Sequence, residues 1–462
     1  MKIIILGNGF DLANGLPTKF SDFFEYRISD MRYEFRKLKR IFAFNQGLSN
    51  NEKYDEYSSL LEKLSSEEVF RTNYSELIDR KHELEQFLNS KIKHDFYTAI
   101  MSKNEELSRL KTRGITFWDI FFFVLKENKQ NITDWNNFEQ CIHDFVEKQN
   151  DNARYTMSKT LSKINYDHLI SSIDSNHEEI KENLFIRLSD ENKEKIVLYE
   201  FIKVLTEYYN VQDYDLILFN ELKLFEDIFR NYLDIRIMEK LNNSKRSKAI
   251  YRDNLLKLIE NDMENDYLLF NFNYTLFSNA KDDLKKSKVT ISRNNEEVSF
   301  NENNVHGRYD KLCIFGIDQT RIDVDSPEYI FTKTYRKLDS YDQLSSFSLP
   351  SRLDVNEIIF YGHSLSEADY SYFQSIFDFY NVYESDIKIK FMYSLHGEQS
   401  NHPKVKKDQI SAITRLLQNY GKTMNNKDHG KNLIHKLLIE NRLIMLHVKL
   451  IEIPGFKSSI YI

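Results

Sequence analysis

Met1-Lys-Ile-Ile-Ile-Leu-Gly-Asn-Gly-Phe-Asp-Leu-Ala-Asn-Gly-Leu-Pro17 opens the chain and decides its fold. Ile3 to Leu6 is a short continuous apolar run, the pattern of a strand buried on both faces. Gly7 and Gly9 follow at once. Two glycines at the exit of such a strand let the backbone turn sharply and approach a ligand. In an open α/β sheet the ligand crevice lies outside the carboxyl ends of the strands, and a helix starting there aims its N–H groups at a phosphate. The order G-N-G-F-D is not G-x-G-x-x-G, so a tight structural turn explains it nearly as well as a nucleotide loop.

The rest of the chain must supply the partners of that strand. At 462 residues there is room for two or three domains. With 28 Tyr and 34 Phe there is ample material for a core, which excludes a disordered protein. A formal charge of −7 gives no electrostatic case for a nucleic-acid partner. Two cysteines, Cys141 and Cys313, cannot build a disulfide framework or a four-thiolate zinc site. The opening run is too short for a signal peptide and leads into a glycine turn, and no apolar stretch reaches membrane-spanning length. The expected setting is cytoplasmic, with no membrane partner.

Glycine and proline are unevenly spread. After Pro17 the next proline is Pro327, and between Gly47 and Gly307 the only glycine is Gly114. Apolar residues recur every fourth position at Leu84, Leu88, Ile92, Phe96 and Ile100, and at three- and four-residue steps from Leu218 to Leu233. Both are amphipathic helix patterns, so Thr18 to Asp262 reads as mostly helical. Strand signals return at Tyr267–Phe270, Leu312–Phe315, Glu357–Tyr361 and Ile387–Tyr393. Val289–Ile291 and Val298–Phe300 suit a hairpin, and Arg442–Ile453 offers one or two more strands. Helices are expected at Ser364–Phe379 and Gln409–Tyr420. Strands alternating with helices imply a mostly parallel sheet. The expected organisation is therefore an α/β domain built from 1–17 and 262–462, with a helical insertion, 18–261, after the first strand. The basic stretch Lys240–Lys248 reads as a solvated linker between the two.

Each returning strand runs into a polar or glycine-bearing cluster: Asn271-Phe-Asn-Tyr-Thr275, Asn304-Val-His-Gly307, Gly316-Ile-Asp-Gln319 and Gly362-His-Ser-Leu-Ser-Glu-Ala-Asp369. Turn chemistry alone favours Asn, Gly and Asp at strand ends. If the strands are parallel to Ile3–Leu6, however, all four clusters share one sheet edge, and convergence of this kind marks a site.

These blocks carry a resemblance. G-N-G-F-D-L-A-N-G-L-P at 7–17, N-F-N-Y-T at 271–275, V-H-G at 305–307 and G-H-S-L-S-E-A-D at 362–369 resemble the AbiH abortive-infection family of bacterial antiphage proteins, and Trp135-Asn-Asn-Phe-Glu139 looks like a W-x-x-x-E motif of that family. The same blocks, in the same order, are more distantly similar to sirtuin-like NAD-binding domains, a Rossmann-type fold that includes NAD-consuming effectors of bacterial immunity. On that resemblance Asn273 matches the site asparagine and His306 the site histidine. The loop Gly7, Asn8, Gly9, Phe10 and Asp11 would face the phosphates and ribose. Gly307, Gly362, His363, Ser364 and Asp369 would complete the cofactor-binding set, with Ser364 contacting the dinucleotide. Thr275 stands where the pattern has an aspartate, and Asn8 where a small residue is usual. The cysteine quartet of sirtuin deacylases is missing, so the implied activity is hydrolysis of the nicotinamide–ribose bond, or nucleotide sensing without turnover.

The residue types suit that chemistry. Asn273 both donates and accepts, as orienting a water or a ribose hydroxyl requires. His306 has an ordinary pKa fit for general-base work. The bland alternative for His306 is a strand cap bonded to a backbone carbonyl. His363 reads as a positioning residue, and Asp369 as the N-cap of the helix Tyr370–Phe379 or a ribose contact. Glu139 either reaches the cleft or is a solvated helix residue; Trp135 and Cys313 read as packing residues. His82, His94 and His143 lack ligand spacing, so no metal is expected. The expected partners are NAD or a related nucleotide, a phage-derived trigger, and a second copy through the helical insertion.

Overall fold

The structure is a computed structural model. It describes residues 1–42, 105–127, 132, 135–147, 190–277, 288–293, 296–318, 322–341, 349–365, 369–395 and 401–456. The helix signal at Leu84–Ile100 lies outside them. The chain divides into two compact units: Met1–Arg27, Ile132–Val146 and Lys223–Ile462 form one, and Ile28–Asn131 with Glu147–Leu222 the other.

The first unit holds a seven-stranded sheet. Its strands are β1 (Lys2–Leu6), β2 (Tyr267–Asn271), β3 (Lys288–Arg293), β4 (Glu296–Asn304), β7 (Glu357–Tyr361), β8 (Lys388–Tyr393) and β9 (Leu443–His447), in the order β3-β4-β2-β1-β7-β8-β9. Only the edge strand β3 runs antiparallel, as the far arm of the β3–β4 hairpin. Every other neighbouring pair is parallel. β1 sits at the centre and Ile3, Ile4, Ile5 and Leu6 are wholly buried, as a parallel strand covered on both faces requires. One face packs Ile3, Ile5, Leu268, Ile358 and Phe360 against Phe373, Phe377, Leu417 and Leu437 from the C-terminal helices. Leu6 pairs with Asn271 and with Tyr361, and Asn271 pairs with Asn304. The carboxyl ends of β1, β2, β4 and β7 therefore lie along one rim, although the chain separates the first from the others by hundreds of residues.

Several expectations need correction. Leu312–Phe315 does not join the sheet. It yields a two-residue strand, β6 (Leu312–Cys313), antiparallel to β5 (Gly307–Arg308) in a separate ribbon. The cause is Gly307, whose φ of +97° folds the chain back after His306, after which the Ile314 N–H donates to the His306 carbonyl. The helix expected from Ser364 begins at Tyr370, because Leu365 has a φ of +56° that no helix admits. Gln409–Tyr420 is the middle of a longer helix, His402–Thr423, and Arg442–Ile453 gives one strand, β9. Lys240–Lys248 is no linker. It spans the helices Glu239–Asn243 and Lys245–Leu258, and Ser244 caps the second by accepting from the Ser247 N–H.

The second unit is helical where it is described. Its helices include Arg32–Phe42, Phe117–Glu127 and Asp190–Tyr209. Inside it the buried Glu221 accepts from the Phe117 N–H (2.8 Å) and the Tyr209 hydroxyl (2.6 Å). The Trp118 indole donates to the Leu218 carbonyl. A carboxylate removed from water needs partners of this kind.

Candidate functional site

The rim begins with glycines, and the structure states what they are for. Gly7 N–H donates to the Tyr361 carbonyl (2.9 Å) and Gly9 N–H to the Gly362 carbonyl (2.7 Å). A Cβ on Gly7 would stand 2.4 Å from the His363 Cα, and one on Gly362 (φ +69°) 2.5 Å from the Phe10 N. The turns after β1 and β7 thus pack backbone against backbone. The close approach that these glycines permit is to each other.

The remaining members of the opening loop are also engaged within the protein. Phe10 is a core ring against Tyr251, Phe277 and Tyr361. Asn8 exchanges hydrogen bonds with Thr18, accepting from its hydroxyl (2.6 Å) and donating to its carbonyl (3.1 Å). Asp11 is buried, and its carboxylate accepts from the Tyr251 hydroxyl and the Thr275 hydroxyl, each at 2.8 Å. Burial pushes its pKa up to about 6 against the pull of those two bonds. Thr275 is the donor that a buried Asp11 needs.

The next turn is held by amides. Asn271 Oδ1 accepts from the Asn273 N–H, and Asn304 Nδ2 donates to the Asn273 carbonyl (2.8 Å). Asn273 Nδ2 donates to the Gly7 carbonyl (3.2 Å). Its Oδ1, on a residue only 4% exposed, has no donor among the described residues. An unmet buried acceptor costs about 1–3 kcal/mol, so a water or another hydrogen-bond donor would be favoured at this atom.

Beside it lies a buried charge cluster. Lys333, from the helix Lys333–Asp339, places Nζ 2.8 Å from Asp369 Oδ1 and 3.0 Å from Glu139 Oε2. His306 Nε2 is 3.0 Å from Asp369 Oδ1, and His363 Nε2 is 3.2 Å from Asp369 Oδ2. His363 Nδ1 accepts from the Leu365 N–H (3.0 Å), so its proton sits on Nε2 and points at Asp369. The ring of Phe272 stands edge-on to both imidazoles, with centroids at 5.2 and 4.8 Å. Asp369 occupies the N-cap position of Tyr370–Phe379 but makes no capping bond; its carboxylate serves the cluster instead. That overturns the capping reading. Glu139 is no solvated helix residue, because it closes the cluster from the helix Trp135–Glu147. Trp135 packs on Phe229 and Phe315 and donates to the Thr18 carbonyl.

Charge follows from these contacts. Burial, with Lys333 nearby, lowers His306 to about 4, so its imidazole is neutral at pH 7. Burial raises Asp369, but Lys333 and His306 outweigh it and hold the carboxyl well below its ordinary range. Glu139, with fewer donors, is pushed by burial up to about 7 despite Lys333. Burial works against the Lys333 ammonium, and the two carboxylates overcome it and keep it charged. Two carboxylates in one cluster thus end with different protons, the pattern found where acid and base roles are divided.

Of the residues singled out in the sequence, His306, His363 and Asp369 meet directly. Asn273 joins them through Gly7, which packs on His363. Gly307 shapes the turn after His306, Gly362 the turn before His363, and Ser364 lies exposed. Lys333 was not foreseen: nothing local in Lys333-Thr-Tyr-Arg-Lys337 distinguishes a buried lysine from a solvated one. Among the described residues no group of His, Cys, Asp and Glu is arranged to hold a metal ion, and no helix is long and apolar enough to cross a membrane.

No curated protein and no solved structure matches the chain. The family model described as bacteriophage abortive infection AbiH matches residues 3–122, a stretch that includes the strand β1 and the loop Gly7–Asp11. Over those residues the chain is similar to that family.

Proposed function

We propose that this chain is an antiphage abortive-infection effector that binds NAD at the carboxyl rim of its sheet and hydrolyses the nicotinamide–ribose bond. The family match supports a role in abortive infection. The observation that supports the chemistry is Asn273, a buried amide at the rim whose Oδ1 lacks a donor among the described residues, in the turn beside a histidine that burial keeps neutral.

Breaking an N-glycosidic bond leaves positive charge on the ribose and needs a water aimed at the same carbon. Asn273 Oδ1 would accept from that water or from a ribose hydroxyl and fix its position. His306, neutral at cellular pH, would take the water's proton as its oxygen bonds the anomeric carbon. The electron pair of the broken bond leaves with nicotinamide. Asp369, ionised by Lys333, would stabilise the imidazolium that forms. Nicotinamide release from NAD by the purified chain tests this, and His306→Ala should slow it by about 10²–10⁴-fold. Full NAD depletion by that variant would rule out the assignment.

A second reading, nucleotide sensing without turnover, is favoured by Asp11. Its carboxylate is taken up by Tyr251 and Thr275 rather than left for a ribose. Calorimetric binding of NAD with no nicotinamide released over hours would select it.

A further inference from the structure

Lys337 stands one helical turn after Lys333, and the two ammonium groups differ in one respect. Lys333 meets two carboxylates. The Lys337 Nζ lies 4.6 Å from the centroid of the Tyr372 ring, and among the described residues it has no carboxylate within ion-pair distance. The Tyr372 ring in turn lies 5.8 Å from the His306 ring and 5.9 Å from the Phe272 ring. Lys337 therefore belongs to the same cluster. It is also less enclosed than Lys333, His306 and Asp369, which are 3%, 6% and 8% exposed, whereas Lys337 is half-buried.

A cation in that position is poorly served by the chain itself. It is partly withdrawn from water, it faces the charge of Lys333, and an aromatic face returns only about 0.5–2 kcal/mol. Burial and Lys333 together pull its pKa down to about 8, against the weaker attraction of Asp369. An anion arriving from solvent would remove both penalties at once. In the turn whose Phe272 ring lies against Tyr372, the unmet Oδ1 of Asn273 calls for a hydrogen-bond donor. The two unfilled demands, one for negative charge near the surface and one for a hydroxyl or water deeper in, describe a single ligand with both.

We propose that Lys337 is the anion contact of this rim site and that the site takes a phosphorylated, hydroxyl-bearing ligand. The proposal rests on reading the rim as a binding site and adds the residue that selects for phosphate. The ligand enters from the side of the helix Lys333–Asp339, its phosphate meets Lys337 over Tyr372, and its hydroxyl-bearing part reaches Asn273. Lys333 stays with its carboxylates and does not compete.

The test is calorimetric titration of the full chain with pyrophosphate and, separately, with NAD, in the natural protein and in Lys337→Gln and Lys337→Arg. Thermal melting confirms that each variant is folded. The expected result is an affinity at least tenfold lower for both probes in Lys337→Gln and within about threefold of the natural protein in Lys337→Arg. Pyrophosphate affinity should also fall between pH 7 and pH 9 as the ammonium deprotonates, a readout that stands even if Lys337→Gln does not fold. Pyrophosphate bound through Lys337 with no NAD binding would retain the anion site and remove NAD as its ligand. NAD bound equally by the natural protein and Lys337→Gln would overturn the proposal and leave the NAD reading intact. Failure of the folded natural protein to bind either probe would overturn it as well.

Discussion

The two rims of one sheet carry two charge clusters, and they are built differently. At the amino rim Lys2 lies 2.8 Å from Asp262 and 3.3 Å from Glu357, and Lys390 lies 2.9 Å from Glu357 and 2.8 Å from Glu260. Each ammonium there meets two carboxylates. Lys2 and Glu357 face each other in strand register, and among the described residues the cluster contains no histidine and no unmet acceptor. At the carboxyl rim the side chains come from turns and helices. Two histidines share one aspartate, and among the described residues Asn273 Oδ1 has no donor and Lys337 has no carboxylate within ion-pair distance. The amino rim fastens strands together. The carboxyl rim leaves specific demands for an outside molecule, and this asymmetry is the physical case for a site there.

Four measurements break or sharpen the contrast. The largest effect is expected for Gly362→Ala. A Cβ at a φ of +69° would stand 2.5 Å from the Phe10 backbone, so the turns after β1 and β7 must separate. The expected loss exceeds about 4 kcal/mol in denaturant unfolding, and a variant of natural stability would show that the two turns do not pack as described. Lys333→Met comes next. It strands two buried carboxylates and should cost about 3–5 kcal/mol.

Glu139→Gln acts through pH. Its folded pKa of about 7 lies above the ordinary 4.5, so its contribution to stability is full below 4.5 and lost as pH rises through 7. His306 runs the opposite way. Its folded value of about 4 lies below the ordinary 6.5, so its contribution is full above 6.5 and lost as pH falls toward 4. Between 4.5 and 6.5 the two slopes oppose. Removing Glu139 should unmask a stability that rises with pH across 4–6.5 by up to about 1.4 kcal/mol per unit; a curve that stays flat would remove His306 from the buried cluster. The smallest effect is expected for Lys390→Met at the amino rim. Its partner Glu260 is more than half exposed and its buried partner Glu357 keeps Lys2, so the loss should be about 1–2 kcal/mol. A loss matching that of Lys333→Met would erase the difference between the rims.

The sheet was legible because parallel strands buried on both faces read as apolar runs, as β1, β2 and β7 do; β8 is interrupted by Lys390 but is otherwise apolar. Leu312–Phe315 shows the limit of that signal. It is as apolar as the others, but Gly307 turns the chain back before it can reach the sheet. Its Phe315 packs on Trp135, Phe229 and Tyr274 instead. Much of the carboxyl rim was legible as well, because Asn273, His306 and His363 sit directly after strands. Lys333 was not, since its role depends on Glu139, 194 positions away, and on Asp369. Asp369 was misread for a related reason. Its position is that of a helix cap, and three partners from elsewhere in the chain take its carboxylate.

Hydrogen exchange of the full chain with and without NAD tests the central claim most directly, since it reports which rim a ligand occupies. The account predicts slower exchange in peptides covering 271–277, 304–316 and 333–341, with no change at 256–266 and 384–390. Protection confined to the amino-rim peptides, or none at saturating NAD, would contradict it.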